Sequence, residues 1–212
     1  MNPFFQKGQT VLFQGDSVTD CGRDREDPSS LALGYPKKVA QIYQNLFKDN
    51  EITFINKGIS GNRTSDLLAR YDEDFKDIQP DFVSILIGIN DVWRKYDRND
   101  PTSPETFKSN YTKLLSDIKE DMPLAKIMLI EPFVLHSLPE RATWHEDLDP
   151  KIQIVRELAR EFADYYLPMD GIFANLCTHN YTPHELALDG VHPTDLGHSV
   201  IAYEYLKLLG II

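Results

Sequence analysis

Two cysteines, Cys21 and Cys177, are all that the 212 residues contain. They lie far apart and outside any paired ligand spacing, which argues against a disulfide framework or a cysteine-based zinc site and for free thiols in a cytoplasmic protein. No apolar run approaches the roughly 20 residues of a membrane span. The opening residues, Met1-Asn2-Pro3-Phe4-Phe5-Gln6-Lys7-Gly8, lack the basic stretch and long apolar core of a secretory signal. A basic patch is missing too. Against 33 acidic residues stand 22 basic ones, a net charge of −11 that repels nucleic-acid phosphates and anionic membrane surfaces. The nearest cationic cluster, Trp93-Arg94-Lys95-Tyr96-Asp97-Arg98, is diluted by Asp91, Asp97 and Asp100. With no internal repeat, low-complexity tract or linker, residues 1–212 are expected to form one domain, and 42% hydrophobic content suffices for its core.

What is present is alternation. Apolar runs of strand length at residues 10–14, 52–56, 82–87, 126–130 and, less clearly, 165–169 are each followed by a segment of helical period. Val39, Ile42, Tyr43 and Leu46 make one helical stripe; Phe107, Tyr111, Leu114 and Ile118 make another, with Ser103-Pro104 as its start signal and Met122-Pro123 as its stop. Val155, Leu158 and Phe162 mark a third, and a last helix runs from about Asp195 to Leu209 behind Thr194. Residues 133–150 read as irregular. The expected fold is α/β: a three-layer α/β/α sandwich around a mostly parallel five-stranded sheet, flavodoxin-like, with the nearly continuous apolar run at 82–87 as its middle strand. Ligands of such sheets sit at the carboxyl ends of the strands.

The residues following the strands are therefore the ones to read. They are Gly15-Asp16-Ser17, then Lys57-Gly58-Ile59-Ser60-Gly61-Asn62, then Gly88-Ile89-Asn90-Asp91, with Asp189-Gly190-Val191-His192-Pro193 before the last helix. Ser17 can serve as nucleophile or as helix cap, Asn90 and Gly61 as hydrogen-bond donors or as turn residues, and the Asp189/His192 pair as acid and base or as a rigid turn.

In order and spacing the blocks "GDSVTD", "NKGISGN", "GIND" and "DGVHP" resemble those of the SGNH hydrolases, also called GDSL esterases, along nearly the whole chain. Within that family "FQGDSVTDCGR" and "IGINDVWR" look closest to intracellular carbohydrate acetylesterases of the acetylxylan esterase type. The resemblance implies the SGNH hydrolase fold, Ser17 as nucleophile, His192 as base and Asp189 as its orienting acid, with no metal or cofactor. It assigns the oxyanion hole to the backbone N–H groups of Ser17 and Gly61 and the side-chain amide of Asn90. Glycine suits this role by letting the main chain approach closely, and a neutral amide donates without adding charge.

The substrate expected from the resemblance is a small-molecule or oligosaccharide ester, an O-acetylated sugar such as a xylo-oligosaccharide. Asp16, Trp93 and Tyr96 are candidate substrate contacts, although Asp16 also suits ordering of the loop, and the aromatics, like Trp144, suit core packing. Alternatives are a lysophospholipase or acyl-thioesterase of the same family and a non-catalytic carbohydrate-binding protein. Relatives are often homo-oligomers, but no interface is legible. Arg63 and Asp66 are spaced to pair across a helical turn.

Overall fold

The computed structural model describes residues 2–212; Met1 lies outside the described residues. Five strands form one sheet: β1 (Thr10–Gly15), β2 (Thr53–Asn56), β3 (Phe82–Leu86), β4 (Lys126–Ile130) and β5 (Tyr165–Leu167), in the order β2-β1-β3-β4-β5 with every pairing parallel. All five residues of β3 are buried, and its two faces serve different cores. Phe82 and Leu86 face one core and Val83 and Ile85 the other, which is why the run lacks the polar alternation of a half-exposed strand.

On the first face lie α2 (Tyr35–Leu46), α7 (Met169–His179) and α9 (Asp195–Leu208), packed through Val39, Tyr43, Phe173, Ile201 and Tyr205. The opposite face is covered by α3 (Thr64–Ala69), α5 (Pro104–Asp121) and α6 (His145–Phe162) through Leu67, Phe107, Tyr111, Leu114, Val155 and Leu158. Three short or intermediate helices sit at the strand ends: α1 (Ser17–Asp20) after β1, α4 (Ile89–Arg98) after β3, and α8 (Pro183–Leu186) in the loop before α9. Among the described residues no helix is long and apolar enough to cross a membrane.

Several element ends shift by one residue from the sequence expectation, and two boundaries depart further. The fifth strand stops at Leu167 rather than Met169, because Pro168 has no N–H for the ladder and the chain turns there into α7. The segment expected to be irregular up to Pro150 instead holds a 3₁₀ turn, Pro139–Trp144, that runs directly into α6. Pro150 removes one helical hydrogen bond near the start of α6, but burial of Leu148, Lys151 and Ile152 on either side holds the helix together.

Candidate active site

The sharp turn after β1 divides two tasks between neighbours. Asp16 is the N-cap of α1, its carboxylate accepting the Val18 N–H at 3.0 Å. Ser17 is the first helical residue, and its hydroxyl is left to meet His192, Oγ to Nε2, at 2.9 Å. The ring is fixed from its other side, where Nδ1 faces Asp189 Oδ2 at 2.7 Å. A carboxylate can only accept there, so Nδ1 carries the proton and Nε2 is the acceptor for the Ser17 hydroxyl.

The charges agree with that tautomer. Partial burial works against an ionised Asp189, but the His192 side chain together with the His192 and Val191 N–H groups holds its carboxyl well below the usual range. His192 is raised, chiefly by its hydrogen bond to Asp189 and against burial, with the charges of Asp189 and Asp16 adding to the effect. Asp16 is 1% exposed and lines a small void with Val18, Leu86, Ile89 and Val191; burial pushes its carboxyl up to about 7.

The loop carrying Asp189 and His192 is pinned from behind. Gly190 has φ of +86°, a Cβ on it would lie 2.3 Å from the Leu135 carbonyl oxygen, and its own carbonyl accepts the Leu135 N–H at 2.8 Å. Arg141 donates to the Asp189 carbonyl at 2.8 Å while its guanidinium covers the faces of Trp144 and Trp93, 4.0 and 5.1 Å from the ring centroids.

The N–H groups expected as donors are those of the Ser17 and Gly61 backbone and of the Asn90 side chain. Neither the Ser17 nor the Gly61 backbone N–H has a hydrogen-bond partner among the described residues. The Gly61 loop is tied to α1 by Asp20, whose carboxylate accepts both the N–H and the hydroxyl of Ser60 at 2.8 and 2.9 Å. Gly61 itself has φ of +87°, with nothing within 4 Å of where a Cβ would stand. The requirement for glycine there is the left-handed backbone rather than the close approach expected from the sequence. Asn90, in the first turn of α4 and 2% exposed, donates one N–H to the Asn62 carbonyl at 3.1 Å and accepts from Arg94 at its Oδ1 at 2.8 Å. Next to it Asp91 accepts the Thr64 N–H and hydroxyl at 3.1 and 2.9 Å, joining α4 to α3; burial pushes its carboxyl up to about 6 despite those bonds.

Preorganised donors, a nucleophile and a base of fixed tautomer are what acyl transfer requires. Residues 13–200 match the model of the GDSL-like lipase/acylhydrolase family. The chain belongs to that family. As a GDSL-type acylhydrolase it is a carboxylic ester hydrolase, and it is 36% identical to the acetylxylan esterase of Geobacillus stearothermophilus over 96% of this chain and 94% of the relative. The crystal structure of a catalytic mutant of that bacterium's acetylxylan esterase, with a histidine replaced by alanine, superposes with a TM-score of 0.88 at 33% identity, covering 97% and 96% of the two chains. Catalytic mutants of the same enzyme at a serine (TM-score 0.87, 34% identity, 98% and 97% covered) and at an aspartate (0.87, 33%, 97% and 96%) are equally similar.

The expected substrate contacts of this acylhydrolase fare differently. Asp16 presents no surface to a substrate, being enclosed beneath Ser17, and its expected contact is replaced by the capping role. Trp93 flanks His192, the two ring centroids 5.6 Å apart. Tyr96 lies flat on the buried Trp144, 4.9 Å away and 13° from parallel, so that one ring face is already occupied. Arg63 pairs with Asp100 rather than Asp66, whose carboxylate instead accepts the Arg63 N–H at 2.7 Å. Cys21 is half-buried, its sulfur 3.4 Å from His198 Nε2. The Tyr35 N–H donates to His198 Nδ1, so that ring presents an N–H to sulfur and cannot act as its base.

The sequence reading passed over Arg94 and Arg141. Arg94 carried a signal, since it follows Asn90 by four residues on a helical segment; Arg141 carried none for its role at the site, because the Asp189 carbonyl it holds lies 48 positions away. Beside Gly61 opens a polar hollow of about 410 Å³ bordered by Asn62, Arg63, Ser65, Arg94 and Arg98.

Proposed function

We propose that this enzyme removes acetyl groups from O-acetylated carbohydrates, xylo-oligosaccharides among them, through an acyl-enzyme on Ser17. The observation that carries the proposal is the unbroken Ser17–His192–Asp189 relay at 2.9 and 2.7 Å. The near full-length similarity to an acetylxylan esterase supports the substrate class, and that relative's catalytic mutants replace the same three residue types.

As Ser17 Oγ attacks the ester carbonyl, His192 Nε2 takes its proton and Asp189 stabilises the resulting imidazolium. The negative oxygen of the tetrahedral intermediate meets the N–H groups of Ser17 and Gly61 and the free N–H of Asn90. On collapse the proton passes from His192 to the departing sugar oxygen, leaving acetyl on Ser17. A water then gives its proton to His192 as it attacks, a second tetrahedral intermediate forms, and acetate leaves with Ser17 reprotonated. The polar hollow beside Gly61 suits a hydroxylated leaving group better than an alkyl chain. Unpaired Cys21 and Cys177 support a reducing, cytoplasmic setting. Action as one domain over residues 1–212 and assembly as a homo-oligomer belong to the same proposal; light scattering reads the latter.

The test is mass spectrometry of acetylated xylo-oligosaccharides, acetylated monosaccharides, long-chain lysophospholipids and acyl-thioesters, with Ser17→Ala as control. Loss of acetyl mass from the sugar esters alone, abolished in Ser17→Ala, is expected. Preferential turnover of the long-chain esters or thioesters would reject the sugar assignment, and sugar binding without turnover would make the chain a binding protein.

A further inference from the structure

We infer that Arg94 is a positioning residue for the oxyanion donor, fixing which end of the Asn90 side-chain amide faces the reacting oxygen. The inference rests on the reading of Asn90 as that donor. An asparagine amide has an accepting and a donating end of nearly the same shape, and a half-turn about its last bond exchanges them. An oxyanion is stabilised by one end and repelled by the other, so a free amide would spend part of its time in the wrong orientation.

In this enzyme both ends are engaged. Arg94 Nη2 donates to Asn90 Oδ1 at 2.8 Å, and Asn90 Nδ2 donates to the Asn62 carbonyl at 3.1 Å. Exchanging the ends would set the amide NH₂ against a guanidinium and the amide oxygen against a carbonyl, two repulsive contacts at once. The observed orientation leaves one N–H of Asn90 free. Arg94 also places positive charge on the amide oxygen, drawing electron density from nitrogen and making that N–H a stronger donor.

Arg94 is itself held. The two residues lie one helical turn apart on α4, the Arg94 side chain is only 12% exposed, and its Nη1 is paired with Asp97 a further turn along. Its guanidinium also lies 5.6 Å from the Trp93 ring centroid. A side chain fixed by a carboxylate and an aromatic ring, in a position where it meets an amide oxygen, is preorganised rather than a mobile surface cation.

The experiment is a double-mutant cycle of Arg94→Met and Asn90→Ala on an acetyl ester, with Arg94→Lys as a variant that keeps the charge and loses the planar fork. Arg94→Met is expected to lower kcat by about 10- to 100-fold with KM within about twofold. In the Asn90→Ala background the same substitution is expected to change kcat by less than about twofold, because there is no amide left to orient. Arg94→Lys should recover part of the loss, and matching circular dichroism melts keep the comparison among folded enzymes. Equal losses in both backgrounds, or a loss confined to KM, would overturn the inference and make Arg94 a substrate contact or a structural tie. Parent-like activity of Asn90→Ala with Ser17→Ala inactive would instead reject the donor reading, and this inference with it, while leaving the nucleophile standing.

Discussion

Asp189 accepts three hydrogen bonds, from the His192 ring and from the N–H groups of His192 and Val191, and so remains ionised beside the imidazole proposed as the base. His192 is raised above the ordinary histidine value of 6.5. With His192 as the proposed base, active only when neutral, kcat/KM should climb with pH along a limb whose midpoint lies above 6.5. A pH–rate profile checks this, and a profile flat from about pH 5 to 8 would remove His192 as the base. Asp16 contributes to the upward shift, so Asp16→Asn should move the midpoint to lower pH. Replacing Asp189 by asparagine presents the ring with an amide in place of a carboxylate, and by analogy with other serine hydrolases should lower kcat by about 10⁴-fold.

Among the elements, the loop between α8 and α9 has the narrowest tolerance. Gly190 must hold a left-handed backbone and must also lack a Cβ, since one would stand 2.3 Å from the Leu135 carbonyl oxygen. Gly190→Ala should therefore lower stability by at least the ~1–2 kcal/mol of the backbone term. It should also reduce kcat, because the loop that retreats from Leu135 carries both Asp189 and His192; thermal melts and steady-state kinetics read the two effects separately. A variant with parent Tm and kcat would mean that the loop is not pinned there. Alternation of apolar runs made the sheet legible and the continuous run at 82–87 its central strand, while the blocks that follow the strands pointed to the residues proposed for the site. The supports were not legible. Arg141 reaches the Asp189 carbonyl across 48 positions and Asp20 reaches Ser60 across 40, and such long-range pairings leave no local periodicity. The α6 boundary was missed for a related reason, in that burial of its neighbours outweighed the local signal of Pro150.

At the scale of the whole molecule, the buried carboxyls make stability depend on pH. Asp16 rises to about 7 and Asp91 to about 6, so from about pH 4 upward the native state binds protons that the unfolded chain has released, and stability falls as pH rises through this window. His198, lowered to about 4 mainly by burial, acts in the opposite sense below 6.5, where the unfolded chain takes up a proton that the native ring refuses. Asp170 and His192, both raised, add to the fall, which therefore outweighs the opposing effect of His198. Asp16→Asn should accordingly gain stability relative to the parent at pH 8, a gain that shrinks toward pH 4. Urea denaturation at the two pH values measures it; an equal difference at both would show that Asp16 does not change protonation in the native protein. The cap on α1 has an effect of another kind. Since the bond that starts that helix belongs to Asp16 and not to Ser17, the hydroxyl can be deleted with the architecture left standing. With Ser17 as the proposed nucleophile, Ser17→Ala is expected to be a silent receptacle that keeps a labile acetylated sugar whole through crystal growth and so reveals which hydroxyl of the ring carries the group removed.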